Sequence, residues 1–195
     1  MHRSFVAIIL IICCFITACS TRDIQSSLNG STSQRLVAHS IDDLISNLAD
    51  SNLDKLKDKK LFIHSYFLEA SPLKTYADNR LATELTSRYG AIIVDTQEES
   101  DRVMTVFYTS LATDLDSFGI AIPFGFLPGV SEGAVLTVLT LEKFHGISEM
   151  YYYVGKTGTE NRSKVIQAVV KTDAVGLPFI TLPLSNIDRH EEEIF

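Results

Sequence analysis

Lys60-Leu61-Phe62-Ile63-His64-Ser65-Tyr66-Phe67-Leu68 carries apolar or aromatic side chains at both parities. A strand with one wet face alternates, whereas one covered on both faces reads as a near-continuous apolar run. The stretch therefore predicts a strand covered on both faces, with His64 as a hydrogen-bonded core residue. On either side the apolar period lengthens to that of a helix. Upstream, Leu36, Val37, Ile41, Leu44, Ile45 and Leu48 share one helical face. Ser33 is the expected N-cap, and the end is expected around Asp50-Ser51-Asn52. Downstream of Pro72, Leu81, Ala82, Leu85 and Tyr89 stripe a second helix, expected from about Tyr76 to Tyr89 and stopped by Gly90.

Beyond this helix the chain turns to strands. Ala91 to Val94 predicts a short one and Arg102 to Leu111 a long one, with Gln97-Glu98-Glu99-Ser100-Asp101 as a charged turn between them. Thr113 to Gly133 contains Phe118 to Val130, which is apolar but broken by three Gly and two Pro, so neither helix nor continuous strand is expected there. Ala134 to Phe144 and Ile147 to Val154 read as a hairpin turning at His145-Gly146. Gly155-Lys156-Thr157-Gly158 lacks the upstream Gly of a phosphate-binding loop and reads as a turn. Ser163 to Thr172 is the last expected strand, and the tail from Leu177 has little pattern. The order predicts an α/β to α+β fold: a mixed sheet of five or six strands with two helices packed on one face.

The N-terminus follows a different logic. His2 and Arg3 precede the apolar run Phe5 to Phe15, which is too short for a membrane-spanning helix of about 20 residues. A basic start, a short apolar run and a small-residue exit describe a secretory signal. The exit, Ile16-Thr17-Ala18-Cys19, resembles the lipobox of bacterial lipoproteins. That resemblance implies cleavage between Ala18 and Cys19 and acyl chains on Cys19. Two or three chains hold a protein at a membrane effectively for good, at about 0.8 kcal/mol per buried methylene. Ser20 follows, not the Asp that favours inner-membrane retention in enterobacteria-like sorting, so the expected place is the periplasmic face of the outer membrane. The expected organisation is a signal peptide over 1–18, a flexible tether over 19–33 and a single periplasmic α/β domain over 34–195 with an irregular tail.

Composition narrows the function. The cysteines are Cys13, Cys14 and Cys19, so a chain processed at Cys19 has no free thiol, no disulfide and no thiolate metal site. A net charge of −7 and the absence of a basic stripe speak against nucleic acid. His39, His64, His145 and His190 have no metal-ligand spacing, and Asp114 and Asp116 lack the alternating oxygen ligands of a calcium loop. No nucleophile elbow is present. The expectation is a non-enzymatic envelope protein without cofactor or metal, held by lipid on Cys19, with an envelope protein or its own copies as partner. A periplasmic hydrolase using Asp114, Asp116 and His64, or a ligand-binding lipoprotein, is the alternative. Within the Gly- and Pro-rich segment, Phe118, Ile120 and Ile122 are expected to fold onto the sheet. Phe124, Phe126 and Leu127 are expected to form an exposed partner surface.

Several stretches are similar to a family of Gram-negative lipoproteins whose shared domain has no assigned function. They are Ile41-Asp42, Leu56 to Phe62, Leu81 to Tyr89, Asp95 then Ser100-Asp101-Arg102-Val103, Leu111-Ala112-Thr113-Asp114, Gly119 to Pro123, and Tyr153-Val154 through Thr157-Gly158. The likeness covers about Ser40 to Gly158 and carries no catalytic signature. After Gly158 relatives often carry a Trp, and this chain has none. More distantly, the element order is similar to the periplasmic α/β domain of curli-secretion, flagellar and penicillin-binding-protein-activating lipoproteins, which implies a fold rather than an activity.

Overall fold

A computed structural model describes residues 20–25, 31–49, 51–68, 70–123, 135–178 and 180–184, with the single positions 125, 129 and 131. The signal segment with Ala18, the lipidation residue Cys19, and Phe124, Phe126 and Leu127 lie outside the described residues.

Among the described residues, seven strands and two longer helices follow one another as β1 (Ser20–Gln25), α1 (Ser31–Ser46), β2 (Lys60–Tyr66), α2 (Pro72–Ser87), β3 (Ile92–Val94), β4 (Arg102–Pro123), β5 (Val135–Gly155), β6 (Ile166–Leu177) and β7 (Ile180–Pro183). The hydrogen-bonded order is β3-β2-β4-β5-β6-β7, with β1 pairing β4 off this path. β2 runs parallel to both β3 and β4, with Leu61 opposite Ile93 and Arg102, while β6 and β7 are antiparallel. The expected mixed sheet with two helices is present, and β1 adds a strand to the six in the path.

The chain divides into two compact units: Ile24–Asp114, Phe144–Thr172 and Ile187–Phe195 form the larger, and Met1–Asp23, Leu115–Lys143 and Asp173–Asn186 the smaller. The smaller unit takes the end of β4, the start of β5, and the end of β6 with β7. The expectation of a tether over 19–33 changes. Ser20–Gln25 is a strand, and α1 already begins at Ser31. Polar, small residues bury little, yet a neighbouring strand can still satisfy their backbone groups.

In the larger unit, both helices cover one face of the sheet. Leu36, Val37, Ile41, Leu44, Ile45 and Leu48 are fully buried, as are Leu81 and Leu85. They pack with Leu61, Met104, Val106, Tyr108, Met150 and Tyr152 from the sheet, apart from Leu36, which meets Gly146 instead. Ser33 is not the cap of α1 but a buried residue inside it. The exposed Ser31 and Thr32 extend the helix at little cost because its stability comes from the packed face. α1 stops at Ser46, and Leu48 reaches the core from the turn beyond. α2 starts earlier than expected, at Pro72, because Ser71 caps it: its Oγ accepts from the Lys74 N–H at 3.3 Å. Gly90 adopts φ +67 after the helix, the left-handed conformation that suits Gly at a helix end.

His145-Gly146 is not a turn: β5 runs through it. A Cβ at Gly146 would stand 2.5 Å from the Leu36 carbonyl carbon, so the Gly lets the backbone of α1 approach the strand. Two residues on, Ser148 Oγ lies 2.7 Å from Ser40 Oγ, and Ser40 donates to the Val37 carbonyl at 2.9 Å. Ser148 is then the donor to Ser40, which satisfies both fully buried hydroxyls. Along β4 the buried positions are Val103, Met104, Val106 and Tyr108, then Leu111 and Thr113.

In the smaller unit, β4 continues through Asp116–Pro123, where no continuous strand had been expected. Gly119 is tolerated because its missing side chain makes room: a Cβ there would meet the Leu139 carbonyl at 3.0 Å and Thr140 Oγ1 at 3.5 Å. The tail likewise supplies β7, with Leu177 opposite Ile180 and Val175 opposite Leu182. Phe118, Ile120 and Ile122, expected to be covered, are 48%, 54% and 45% exposed.

Candidate functional site

The stretch that places β2 in the core also builds an open surface. Leu61 is buried among the helices, with Ile63 and Phe67 packed at its edge, while Phe62, His64 and Tyr66 point the other way. Among the described residues no helix covers that face. Both faces of β2 had been expected to be covered and His64 to sit in the core; instead His64 is exposed and Tyr66 is 46% exposed. The physical reason lies in the residue types. Tyr and His join an apolar body to a polar tip, so they tolerate water where Leu or Ile would not.

Register carries this row onto the neighbouring strands. Tyr66 pairs with Phe107 on β4, and their rings stack with centroids 5.1 Å apart. Phe107 stacks in turn on Tyr151 of β5, also at 5.1 Å, and meets Tyr153 edge-on at 6.2 Å. His64 lies 4.5 Å from Tyr66, and Phe62 lies 6.2 Å from His64. At the far end, the Arg162 guanidinium sits 4.8 Å above the Tyr151 ring. Six aromatic rings thus form a continuous band across three strands, capped by a cation.

Beside the band lies a concavity of ≈ 710 Å³. His64, Tyr66, Phe107 and Tyr153 give it aromatic walls, and Gln97, Thr105, Thr157 and Thr159 add polar groups. Among the described residues, no carboxylate, lysine or arginine lines it. One rim is the turn after β5. There Gly158 adopts φ +79, and a Cβ on it would press on Thr105 Oγ1 and Val103. The Glu160 carboxylate accepts from the backbone N–H groups of Thr157 and Thr159, both 3.2 Å from its Oε2. Partial burial opposes its ionisation, but the Thr157 side chain and these N–H groups prevail and hold its pKa below the usual range. The Gly155 to Gly158 turn expected from sequence is therefore present as a wall of the concavity.

The alternative catalytic trio does not assemble. His64 pairs with Thr105, and Asp114 lies nine residues further along the same strand. At about 3.3 Å per residue the separation is roughly 30 Å. Asp116 falls in the other unit. Among the described residues, no three His, Cys, Asp or Glu side chains gather as a metal-ligand set.

The band was legible only in part. Phe62, His64 and Tyr66 at alternate positions, and Tyr151 and Tyr153 likewise, marked two aromatic faces in the sequence. Their union needed the pairing of β2 with β4, which no local pattern reveals. Comparison with known protein families and with curated proteins finds no match for this chain.

Proposed function

We propose that this chain is a lipid-anchored, non-enzymatic protein of the bacterial envelope whose larger unit binds a partner through the aromatic face of its sheet. The anchor rests on the lipobox-like Ile16-Thr17-Ala18-Cys19, and the place on Ser20 after it. The observation that carries the binding role is the stacked band from Phe62 through Tyr66 and Phe107 to Tyr151. Rigid aromatic side chains lose little entropy on binding and supply large contact areas, which is why they anchor interfaces. The likeness to Gram-negative lipoproteins points to the same compartment.

A photo-crosslinking residue placed at Tyr66 in intact cells tests this, with Thr83 on the exposed side of α2 as control. The expected result is a discrete adduct from position 66 and none from position 83. No adduct from position 66, with the protein present and membrane-bound, would contradict the binding role.

A second reading follows from the concavity. Its neutral polar groups beside flat aromatic walls suit a saccharide, whose ring faces stack on aromatics while its hydroxyls meet Gln97, Thr105 and Thr157. Co-sedimentation with purified peptidoglycan sacculi distinguishes the two. Retention that is lost in Tyr153→Ser selects the saccharide, and no retention leaves the protein partner.

A further inference from the structure

The smaller unit has two dissimilar faces. Gly119, Thr140 and Gly176 share one: a Cβ at either glycine would touch the Thr140 side chain. Thr181 joins them as the register partner of Gly176, and alternation along β5 adds Val138 and Leu136, scattered between Thr and Gly rather than contiguous. Strand alternation puts Phe118, Ile120, Ile122 and Leu139 on the opposite face, with the pair Leu177 and Ile180 and the pair Val175 and Leu182. On that face Phe118, Ile120, Ile122, Leu177, Ile180 and Leu182 are all more than two-fifths exposed. Contiguous apolar exposure on this scale marks a contact with another phase or another protein.

The charge distribution suits a membrane, and the chain path favours it over a protein. Between Asp116 and Glu132, between Glu132 and Glu142, and between Asp173 and Asp188 the chain carries no charged residue. Asp116, Glu142, Lys143 and Asp173 therefore bound an uncharged apolar plate. Charges confined to the boundary can stay at the level of the lipid headgroups while the apolar centre meets the acyl chains. The chain path supplies the second argument. Cys19 immediately precedes Ser20, the first residue of β1, and β1 pairs with β4. Residues up to Asp23 belong to this same unit. Acyl chains on Cys19 would thus enter the membrane next to a strand that starts in the unit carrying the apolar plate.

We propose that the apolar face of the smaller unit seats on the bilayer as a second membrane contact, held there by the lipid on Cys19. The opposite face, with Gly119, Thr140, Gly176 and Thr181, stays in water. Contact is one-sided because neither a β1 nor a β7 edge could be immersed in hydrocarbon with its backbone groups unpaired. This rests on the lipoprotein reading for the anchor, but the face is testable by itself.

A processed, acylated chain has no free thiol, so single cysteines can be labelled with an environment-sensitive dye. The sites are Ile120→Cys and Leu182→Cys on the apolar face, Thr181→Cys on the opposite face, and Thr83→Cys in the larger unit. Each purified protein, checked for an unchanged melting temperature, is reconstituted with vesicles of phosphatidylethanolamine and phosphatidylglycerol. The vesicles are prepared with or without acyl-chain bromine. The expected result is loss of emission in brominated vesicles at positions 120 and 182 only. Unquenched labels at 120 and 182 on protein that floats with the vesicles would overturn the proposal while leaving the anchor intact. Blue-shifted but unquenched labels that crosslink between copies would overturn it in favour of self-association. Quenching at 181 as well would overturn the one-sided seating. Quenching at 120 and 182 in chains whose mass shows no acylation would support the membrane face and refute the lipid anchor.

Discussion

β4 is one strand with two environments. Near its start, Met104, Val106 and Tyr108 are buried beneath two helices. Near its end, Phe118, Ile120 and Ile122 are of the same apolar character, alternate in the same way, and are about half exposed. Side-chain chemistry alone therefore does not decide what is core. What decides is whether another element returns to cover the face. In the larger unit α1 and α2 do so; in the smaller unit no described element does. That uncovered stretch is the basis of the membrane contact proposed above.

This contrast breaks most severely in the larger unit. Ile45→Asp or Leu85→Asp places an unpaired charge at a fully buried position, which costs several kcal/mol. Loss of the cooperative melting transition is expected in both. Gly146→Val should follow closely, since any side chain there collides with the backbone of α1 at Leu36. A native-like melting temperature in that variant would show that the helix is not seated where described.

A smaller effect sharpens the account of the core. The Tyr108 hydroxyl and Asp78 Oδ1 are buried without a formed hydrogen-bond partner. Burial, and then the Asp78 charge, push the Tyr108 pKa well above that of an ordinary tyrosine. The unfolded chain then ionises first as pH rises through about 10, so this tyrosine withdraws stability with rising pH. Tyr108→Phe should leave the neutral-pH melting temperature unchanged or slightly higher and make the alkaline loss less steep. Chemical denaturation at a series of pH values reads both. At the bottom of the scale, Cys19→Ser should leave the fold of the larger unit untouched and abolish both palmitate-analogue labelling and membrane attachment. Equal labelling of wild type and variant would refute the anchor.

The helices were legible because their signal is local and redundant. Every position assigned to the stripe of α1 is fully buried, and Gly90 ends α2 as its backbone freedom requires. The strand boundaries were not. Gly119 and Gly146 look like breakers in sequence, yet each is a place where another backbone or side chain comes close, a fact visible only after pairing. Likewise, a run apolar at both parities suggested two covered faces for β2. The aromatics on its second face instead join Phe107, Tyr151 and Tyr153 in an open band, whose assembly depends on contacts between residues more than 40 positions apart. Local periodicity reports which side chains share a face, not what lies against it.

The most direct test of the division between core and contact surface compares two truncations on the one strand. Unfolding free energies would be measured for Met104→Ala and Ile120→Ala under identical conditions. Met104 is fully buried, so its loss should cost about 2–5 kcal/mol. Ile120 is more than half exposed, so its loss should stay within about 0.5 kcal/mol. A destabilisation from Ile120→Ala as large as that from Met104→Ala would contradict the account.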